Sequence, residues 1–149
     1  MNLAVRLSTL EDIRNVKARY CRFLDTKDWE SLSGVFTADA ILDVRADTGL
    51  EPIHGRADLI AQIRAAVIDA QTAHHVHTPE INLTSAVDAA VIWAMQDRVV
   101  WSPGKSPLPG IASITGFGHY HELYVRQDGV WKIAALRLTR LYVETHPAG

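Results

Sequence analysis

Residues 112–143 read ASITGFGHYHELYVRQDGVWKIAALRLTRLYV, and they contain the clearest structural signal in the chain. Two runs rich in β-branched and aromatic residues flank Asp128-Gly129. An Asp-Gly pair between such runs is typical of a tight β-hairpin, because both turn positions need a positive φ. We therefore predict two antiparallel strands, over about 112–126 and 130–143.

The residues that precede this hairpin predict further strands and, nearer the N-terminus, helices. Apolar residues recur at helical spacing after Ser8, where Ser8-Thr9-Leu10-Glu11 fits a capping box. The predicted helices cover about 8–26, 29–36 and 56–70, and the remaining predicted strands cover about 39–46, 52–54, 73–84 and 88–101. Helices followed by a run of antiparallel strands indicate an α+β fold, with one sheet face packed on the helices.

The composition is that of an ordinary globular protein, expected to form one domain over residues 1–149. Fifteen basic and 17 acidic residues give a net charge of -2 without a basic run, which disfavours nucleic acid as a partner. No apolar run approaches the length of a membrane span, so no membrane partner is expected. Cys21 is the single cysteine and the first residues lack the apolar core of a secretory leader, so we expect a cytoplasmic protein.

Three polar residues fall on strand faces that are otherwise apolar. By alternation, His74, Asp97 and Arg140 each share a face with large apolar neighbours. An isolated buried carboxylate is costly, so Asp97 needs a partner, and Arg140 is a suitable one. A purely structural ion pair and an ordinary strand histidine are the alternatives, and a register slip of one residue would expose Asp97 and Arg140. Periodicity alone places Asp25 on the surface and Tyr20 in the core.

A metal centre is a second interpretation of the clustered histidines. The chain has seven histidines, and His75-x-His77 and His119-x-His121 form two pairs at strand spacing. Each pair puts two imidazoles on one face, where Zn or Fe could bind. No closely spaced carboxylate completes a recognisable ligand set, so a site without metal is favoured.

The chain resembles the SnoaL-like branch of the NTF2-like superfamily along nearly its whole length. The segments that carry the resemblance are YCRFLDTKDW (20–29), HHVHTPEI (74–81), WAMQDR (93–98), DGVW (128–131) and LTRLY (138–142). Within this group the sequence is most similar to bile acid 7α-dehydratases, and more distantly to scytalone dehydratase and lindane dehydrochlorinase. The resemblance implies a cone, in which a strongly curved mixed sheet wraps around N-terminal helices and encloses a deep apolar pocket.

The resemblance also implies which residues form the site. The family's catalytic positions fall on Tyr20, Asp25, His74, Asp97 and Arg140, which overrides the surface assignment of Asp25. His74 would be the general base, Asp25 its orienting carboxylate, and Tyr20 the donor to an oxygen that gains charge. The large side chains expected to line the pocket and bind substrate are Trp29, Phe36, Trp93, Met95 and Tyr120.

These residues predict a dehydratase that needs no cofactor and acts on a hydrophobic cyclic, steroid-like or polyketide-like hydroxy-ketone. A histidine held by a carboxylate can move a proton from carbon to a leaving hydroxyl. The same pair would serve a double-bond isomerase or a polyketide cyclase, and a non-catalytic binding module is the third alternative. Similar proteins assemble through the outer sheet face, so we expect a homodimer or homotrimer, with His75, His119 and His121 near the interface.

Overall fold

A computed structural model describes residues 1–149. The helices are α1 (Leu3–Asp25), α2 (Trp29–Gly34), α3 (Arg45–Thr48) and α4 (Arg56–Val67). The strands are β1 (Phe36–Asp43), β2 (Ile53–His54), β3 (Ala70–Leu83), β4 (Asp88–Trp101), β5 (Ile111–Gln127) and β6 (Val130–Pro147). None of the helices combines the length and the apolar character needed to cross a membrane. The predicted α+β class is confirmed.

The six strands form one mixed sheet in the order β2-β1-β6-β5-β4-β3. β1 runs parallel to β6, and every other neighbouring pair is antiparallel. The register shifts within the β1/β6, β3/β4 and β5/β6 pairs. An extra residue on one strand bends that strand and increases its twist, so these irregularities curve the sheet around the helices.

Two glycine positions show how the long β5–β6 ribbon is built. The predicted turn at Asp128-Gly129 is present, and its two residues have φ angles of 51° and 80°. Gly118 lies where β5 approaches β6 too closely for a side chain, since a Cβ there would be 2.0 Å from the carbonyl oxygen of Thr139. This close approach coincides with a register shift between Phe117 and Gly118.

Several predicted boundaries are wrong. Helix α4 ends at Val67 rather than at 70, β3 begins at Ala70 rather than at 73, and β6 continues to Pro147 rather than ending at 143. Helix α1 does not begin at Ser8, because the Asn2 side chain accepts a hydrogen bond of 2.9 Å from the Val5 N–H and caps the helix earlier. The predicted strand over 39–46 is displaced towards the N-terminus. β1 starts earlier and is followed by the single turn α3, which ends at Gly49 with a φ of 69°.

The core lies between α1 and the inner face of the sheet. The helix contributes the predicted apolar stripe of Ile13, Val16, Tyr20 and Leu24. Side chains alternate along β4, and its buried members are Ala89, Val91, Trp93, Met95, Asp97, Val99 and Trp101. Asp97 therefore lies on the inner face, among large apolar side chains.

Candidate active site

A cavity of about 670 Å³ opens between helices α1, α3 and α4 and the inner sheet face. Most of its wall is apolar, and the larger apolar residues include Leu24, Ile63, Val67, Trp101, Leu108 and Leu138. The wall also carries the polar side chains of Tyr20, His74, Asp97, Tyr120 and Arg140. The cavity thus brings together four of the five predicted catalytic residues, with Asp25 directly behind His74.

Asp25 and His74 form a close pair although 48 residues separate them in the chain. The Nδ1 atom of His74 lies 2.7 Å from Asp25 Oδ1, and the His74 backbone N–H donates to Asp25 Oδ2 at 2.9 Å. The Thr72 hydroxyl donates to Asp25 Oδ1 at 2.8 Å and accepts from Lys27 Nζ at the same distance. The carboxylate is therefore fixed by β3 at the end of α1.

The hydrogen bonds at Asp25 favour its charged form. Partial burial raises the pKa of the carboxyl, but the hydrogen bonds from His74 and Thr72 outweigh it, so the pKa lies below its ordinary value. A carboxylate accepting from Nδ1–H places the proton on Nδ1 and leaves the Nε2 lone pair of the imidazole available as a base. The His74 side chain is 8% exposed, so this base is largely shielded from bulk solvent.

Arg140 lies between two carboxylates. Its guanidinium donates to Asp97 from Nη1 at 2.6 Å and from Nη2 at 2.9 Å. It also donates to Asp47 on α3, from Nε and Nη2, at 2.9 Å each. Burial disfavours the guanidinium, yet the hydrogen bonds from Arg140 to Asp47 and Asp97 raise the Arg140 pKa above its ordinary value. The predicted pairing of Asp97 with Arg140 is present. The additional contact of Arg140 with Asp47 was not predicted.

A buried charged cluster behind the cavity wall was also not predicted. Lys17 Nζ donates to Glu122, and the Tyr124 hydroxyl donates to the same carboxylate at 2.6 Å. The sequence did hold a signal for this cluster. Lys17 follows Ile13 by one helical turn on the apolar stripe, and Glu122 lies between Tyr124 and other inward residues at strand spacing.

Four of the five residues expected to bind substrate lie outside the cavity lining, and this prediction is corrected for them. Phe36 is fully buried and packs edge-to-face on Tyr20, with ring centroids 6.0 Å apart. Trp93 and Met95 face inward but belong to the packed core, and Trp29 begins α2. Only Tyr120 of this set lines the cavity. The apolar wall comes instead from α4, from the sheet residues Leu42, Leu136 and Leu138, and from residues near the 102–109 loop.

The two histidine pairs do not assemble into one ligand set. The rings of His119 and His121 are 6.2 Å apart, and His121 Nε2 lies 3.0 Å from the Thr139 hydroxyl oxygen. Nowhere in residues 1–149 do three or more His, Cys, Asp or Glu side chains converge as metal ligands would. The metal-centre interpretation thus gains no support from the placement of these side chains.

A family model described as the SnoaL-like domain matches residues 5–137. The chain belongs to the SnoaL-like domain family. Among curated proteins, this SnoaL-like chain is similar to "Probable cyclase FGR4" of Gibberella zeae, with 26% identity over 148 residues. That match covers 94% of this chain and 96% of the relative.

Solved structures share the fold of this SnoaL-like chain at low identity. The Kfla4162 protein from Kribbella flavida has a TM-score of 0.83 at 21% identity, and the match covers 93% of this chain and 95% of that one. The dehydrochlorinase LinA-type3 from Novosphingobium barchaimii has a TM-score of 0.78 at 19% identity, with coverages of 97% and 94%. An inferred scytalone dehydratase from Novosphingobium aromaticivorans has a TM-score of 0.80 at 19% identity, covering 99% and 94%. These matches confirm the NTF2-like cone; they leave the predicted likeness to bile acid 7α-dehydratases untested.

Proposed function

We propose that this protein is a cofactor-independent dehydratase that removes water from a hydrophobic cyclic hydroxy-ketone, of steroid-like or polyketide-like type. The observation that carries the proposal is the Asp25–His74 pair, with an Nδ1 to Oδ1 distance of 2.7 Å, beside an apolar cavity of about 670 Å³. A base held in one tautomer next to a mostly apolar cavity suits proton abstraction from carbon.

The proposed reaction uses His74 twice. Nε2 takes the proton from the carbon next to the substrate carbonyl, and the C–H electron pair moves onto the carbonyl oxygen. Tyr20 donates a hydrogen bond to that oxygen as it becomes negative. The electrons then return and form a C=C double bond to the adjacent carbon, while the C–O bond between that carbon and its hydroxyl breaks. Nε2 gives its proton to the departing oxygen. Water leaves and His74 is neutral again, while Asp25 stabilises the transient imidazolium.

Asp97 and Arg140 would hold the other end of the substrate. Arg140 already donates to both Asp97 and Asp47, and the two carboxylates together exceed its single positive charge. A substrate carboxylate would have to displace one of them at an electrostatic cost. The arrangement therefore favours a neutral polar group, such as a hydroxyl or a ketone, at this end.

The decisive experiment compares two histidines of the same strand. We expect His74→Ala to lower kcat for dehydration of a cyclic hydroxy-ketone by at least about 100-fold, the contribution of a positioned base. His75→Ala is the matched control, because that side chain is exposed on the opposite face of β3. Mass spectrometry would follow the loss of one water from the substrate. Full activity in His74→Ala would refute the proposed role of the pair.

A cyclase is the second candidate function, because the curated relative is named a cyclase and aligns over nearly the whole chain. Proton removal next to a carbonyl produces an enolate, and that enolate can attack a second carbonyl instead of expelling a hydroxyl. The two functions differ in product, since cyclisation without dehydration conserves the substrate mass. A double-bond isomerase would likewise conserve mass, and a binding module would leave the substrate unchanged.

We further propose that copies of the chain associate through the outer face of the sheet. The outward side chains of β5 and β6 include Phe117, Leu123 and Tyr142, each about half exposed. Phe117 and Tyr142 stack with ring centroids 5.4 Å apart, which makes a flat apolar surface. Contiguous exposed apolar surface of this kind is typical of interfaces.

A further inference from the structure

The buried cluster of Lys17, Glu122 and Tyr124 has no part in the chemistry proposed so far. The side chains of Lys17 and Glu122 are 0% exposed, and the two charges form a direct ion pair. Glu122 uses its second oxygen to accept from the Tyr124 hydroxyl at 2.6 Å. Each charged group is thus partnered on the side away from the cavity.

The ammonium of Lys17 also contacts two tyrosines that line the cavity. Its Nζ atom lies 3.8 Å from the ring centroid of Tyr20 and 3.8 Å from that of Tyr120. These rings meet edge-to-face, with centroids 6.1 Å apart and an interplanar angle of 76°. The ammonium therefore lies in the corner between the two rings, where one cation contacts both π faces.

Stability alone gives little reason for a buried ion pair at this place. Replacing such a pair by apolar residues of similar volume is often neutral or stabilising, because both charges lose their hydration on burial. A cation against a tyrosine ring does favour negative charge in that ring. Burial raises the pKa of both Tyr20 and Tyr120 well above the ordinary value for a phenol. The ammonium acts against this effect, and it contacts both rings at once.

We propose that Lys17 is a positioning residue that holds Tyr20 and Tyr120 as paired donors to a negatively charged oxygen in the cavity. Glu122 and Tyr124 fix the ammonium from behind. The ligand class that fits is the enolate or phenolate of a ring compound, whose flat apolar body occupies the cavity. This inference rests on the proposed function only in that Tyr20 there donates a hydrogen bond to the carbonyl oxygen as it becomes negative.

The test uses 4-nitrophenol, whose neutral and ionised forms differ in absorbance. We expect the wild-type protein to bind the phenolate more tightly than the phenol, so that the bound probe ionises at a lower pH than the free probe. Lys17→Met/Glu122→Gln removes both charges while conserving volume and net charge. We expect it to weaken phenolate binding by about 10-fold, with binding of the neutral phenol changed far less.

The same two substitutions, made in a Tyr20→Phe/Tyr120→Phe background, test whether Lys17 acts through the tyrosine hydroxyls or only stabilises the fold around the cavity. If Lys17 acts through the hydroxyls, its loss changes phenolate binding less than about twofold once they are absent. Lys105→Met is the matched control, since it removes an exposed lysine. Equal losses with and without the tyrosine hydroxyls would overturn the inference, as would a wild-type protein without preference for the phenolate.

The experiment also distinguishes this inference from the proposed function. Binding of nitrophenol needs no carbon–oxygen cleavage, whereas dehydration needs His74. Phenolate binding that depends on Lys17 in a protein without dehydratase activity would retain the inference and reject the function. Conversely, Lys17→Met/Glu122→Gln could leave both phenolate binding and His74-dependent dehydration unchanged. That result would retain the proposed function and reject the inference.

Discussion

Asp25 couples the orientation of His74 to pH. Burial raises the pKa of Asp25, but the hydrogen bonds from His74 and Thr72 lower it by more. The folded protein therefore holds the carboxyl below its ordinary pKa. Since the folded value is depressed, this stabilisation is complete above the unfolded pKa of about 3.9. It is lost as the pH falls through the lower, folded value.

Asp25→Asn is therefore expected to lower the free energy of unfolding by about 1–2 kcal/mol at neutral pH. The difference from the wild type shrinks in acid, because the protonated carboxyl and the amide are then similar neutral groups. Urea unfolding of both proteins at pH 7 and near pH 3 measures this. A difference that stayed the same at both pH values would show that the carboxylate charge has no part in holding His74.

Residues differ in how far their sequence context reveals them. His74, Asp97 and Arg140 are recognisable because strand alternation makes a polar residue on an apolar face conspicuous. Asp25 is not, since its partner lies on a strand far along the chain and its own helix is ending. Lys17 is not recognisable either, because a lysine on an apolar helix stripe usually extends its long side chain until the ammonium reaches solvent.

At the scale of elements, the single turn α3 is attached to β6 by one ion pair beside the cavity. Asp47 accepts two hydrogen bonds of 2.9 Å from Arg140, and at the start of the turn Arg45 donates to Asp43 on β1 at 3.1 and 2.8 Å. So short a helix is unstable by itself in water, and tertiary contacts must hold it. The contact between Asp47 and Arg140 is therefore one of the two ion pairs that attach α3 to the sheet.

We expect Asp47→Asn to speed hydrogen exchange at the amides of Asp47, Thr48 and Gly49 by about 10-fold, because charge-assisted bonds are lost. Glu51→Gln is the control, as Glu51 is exposed and lies 3.9 Å from Arg45. Exchange measured by mass spectrometry on this peptide gives the result. Equal exchange in the two variants would mean that α3 is held by something other than Arg140.

The β5–β6 ribbon makes a second prediction at this scale. Gly118→Ala would bring a Cβ within 2.0 Å of a backbone carbonyl oxygen that cannot move without shifting β6. We expect a loss of about 3 kcal/mol in the free energy of unfolding, at the upper end for overpacking. Gly34→Ala is the control because no heavy atom lies within 4 Å of its added Cβ. Urea denaturation of both variants would contradict the prediction if their midpoints agreed.

At the scale of the whole molecule, the sequence predicts the layers better than it predicts the cavity. The Asp128-Gly129 turn signal and the spacing of apolar residues suffice to predict helices followed by a sheet and to assign the inner face of that sheet. The cavity depends on curvature from register shifts, and alternation carries no information about where a strand gains a residue. The sequence therefore predicts Trp93 and Met95 as cavity lining, whereas in the curved sheet they pack into the core and other residues of the inner face line the cavity with α4.

The exposed apolar residues on the outer face of the sheet predict that copies of the chain associate. Phe117 and Tyr142 are 48% and 50% exposed and stack on each other, so a second copy could cover both. We expect light scattering after gel filtration to give two or three times 16.5 kDa, as a closed symmetric dimer or trimer requires. Phe117→Glu would bury a charge in the interface and shift the mass towards 16.5 kDa. Val87→Glu, at an exposed apolar residue in the β3–β4 turn, should leave the mass unchanged. A wild-type protein that elutes only as the 16.5 kDa chain would refute association through this face.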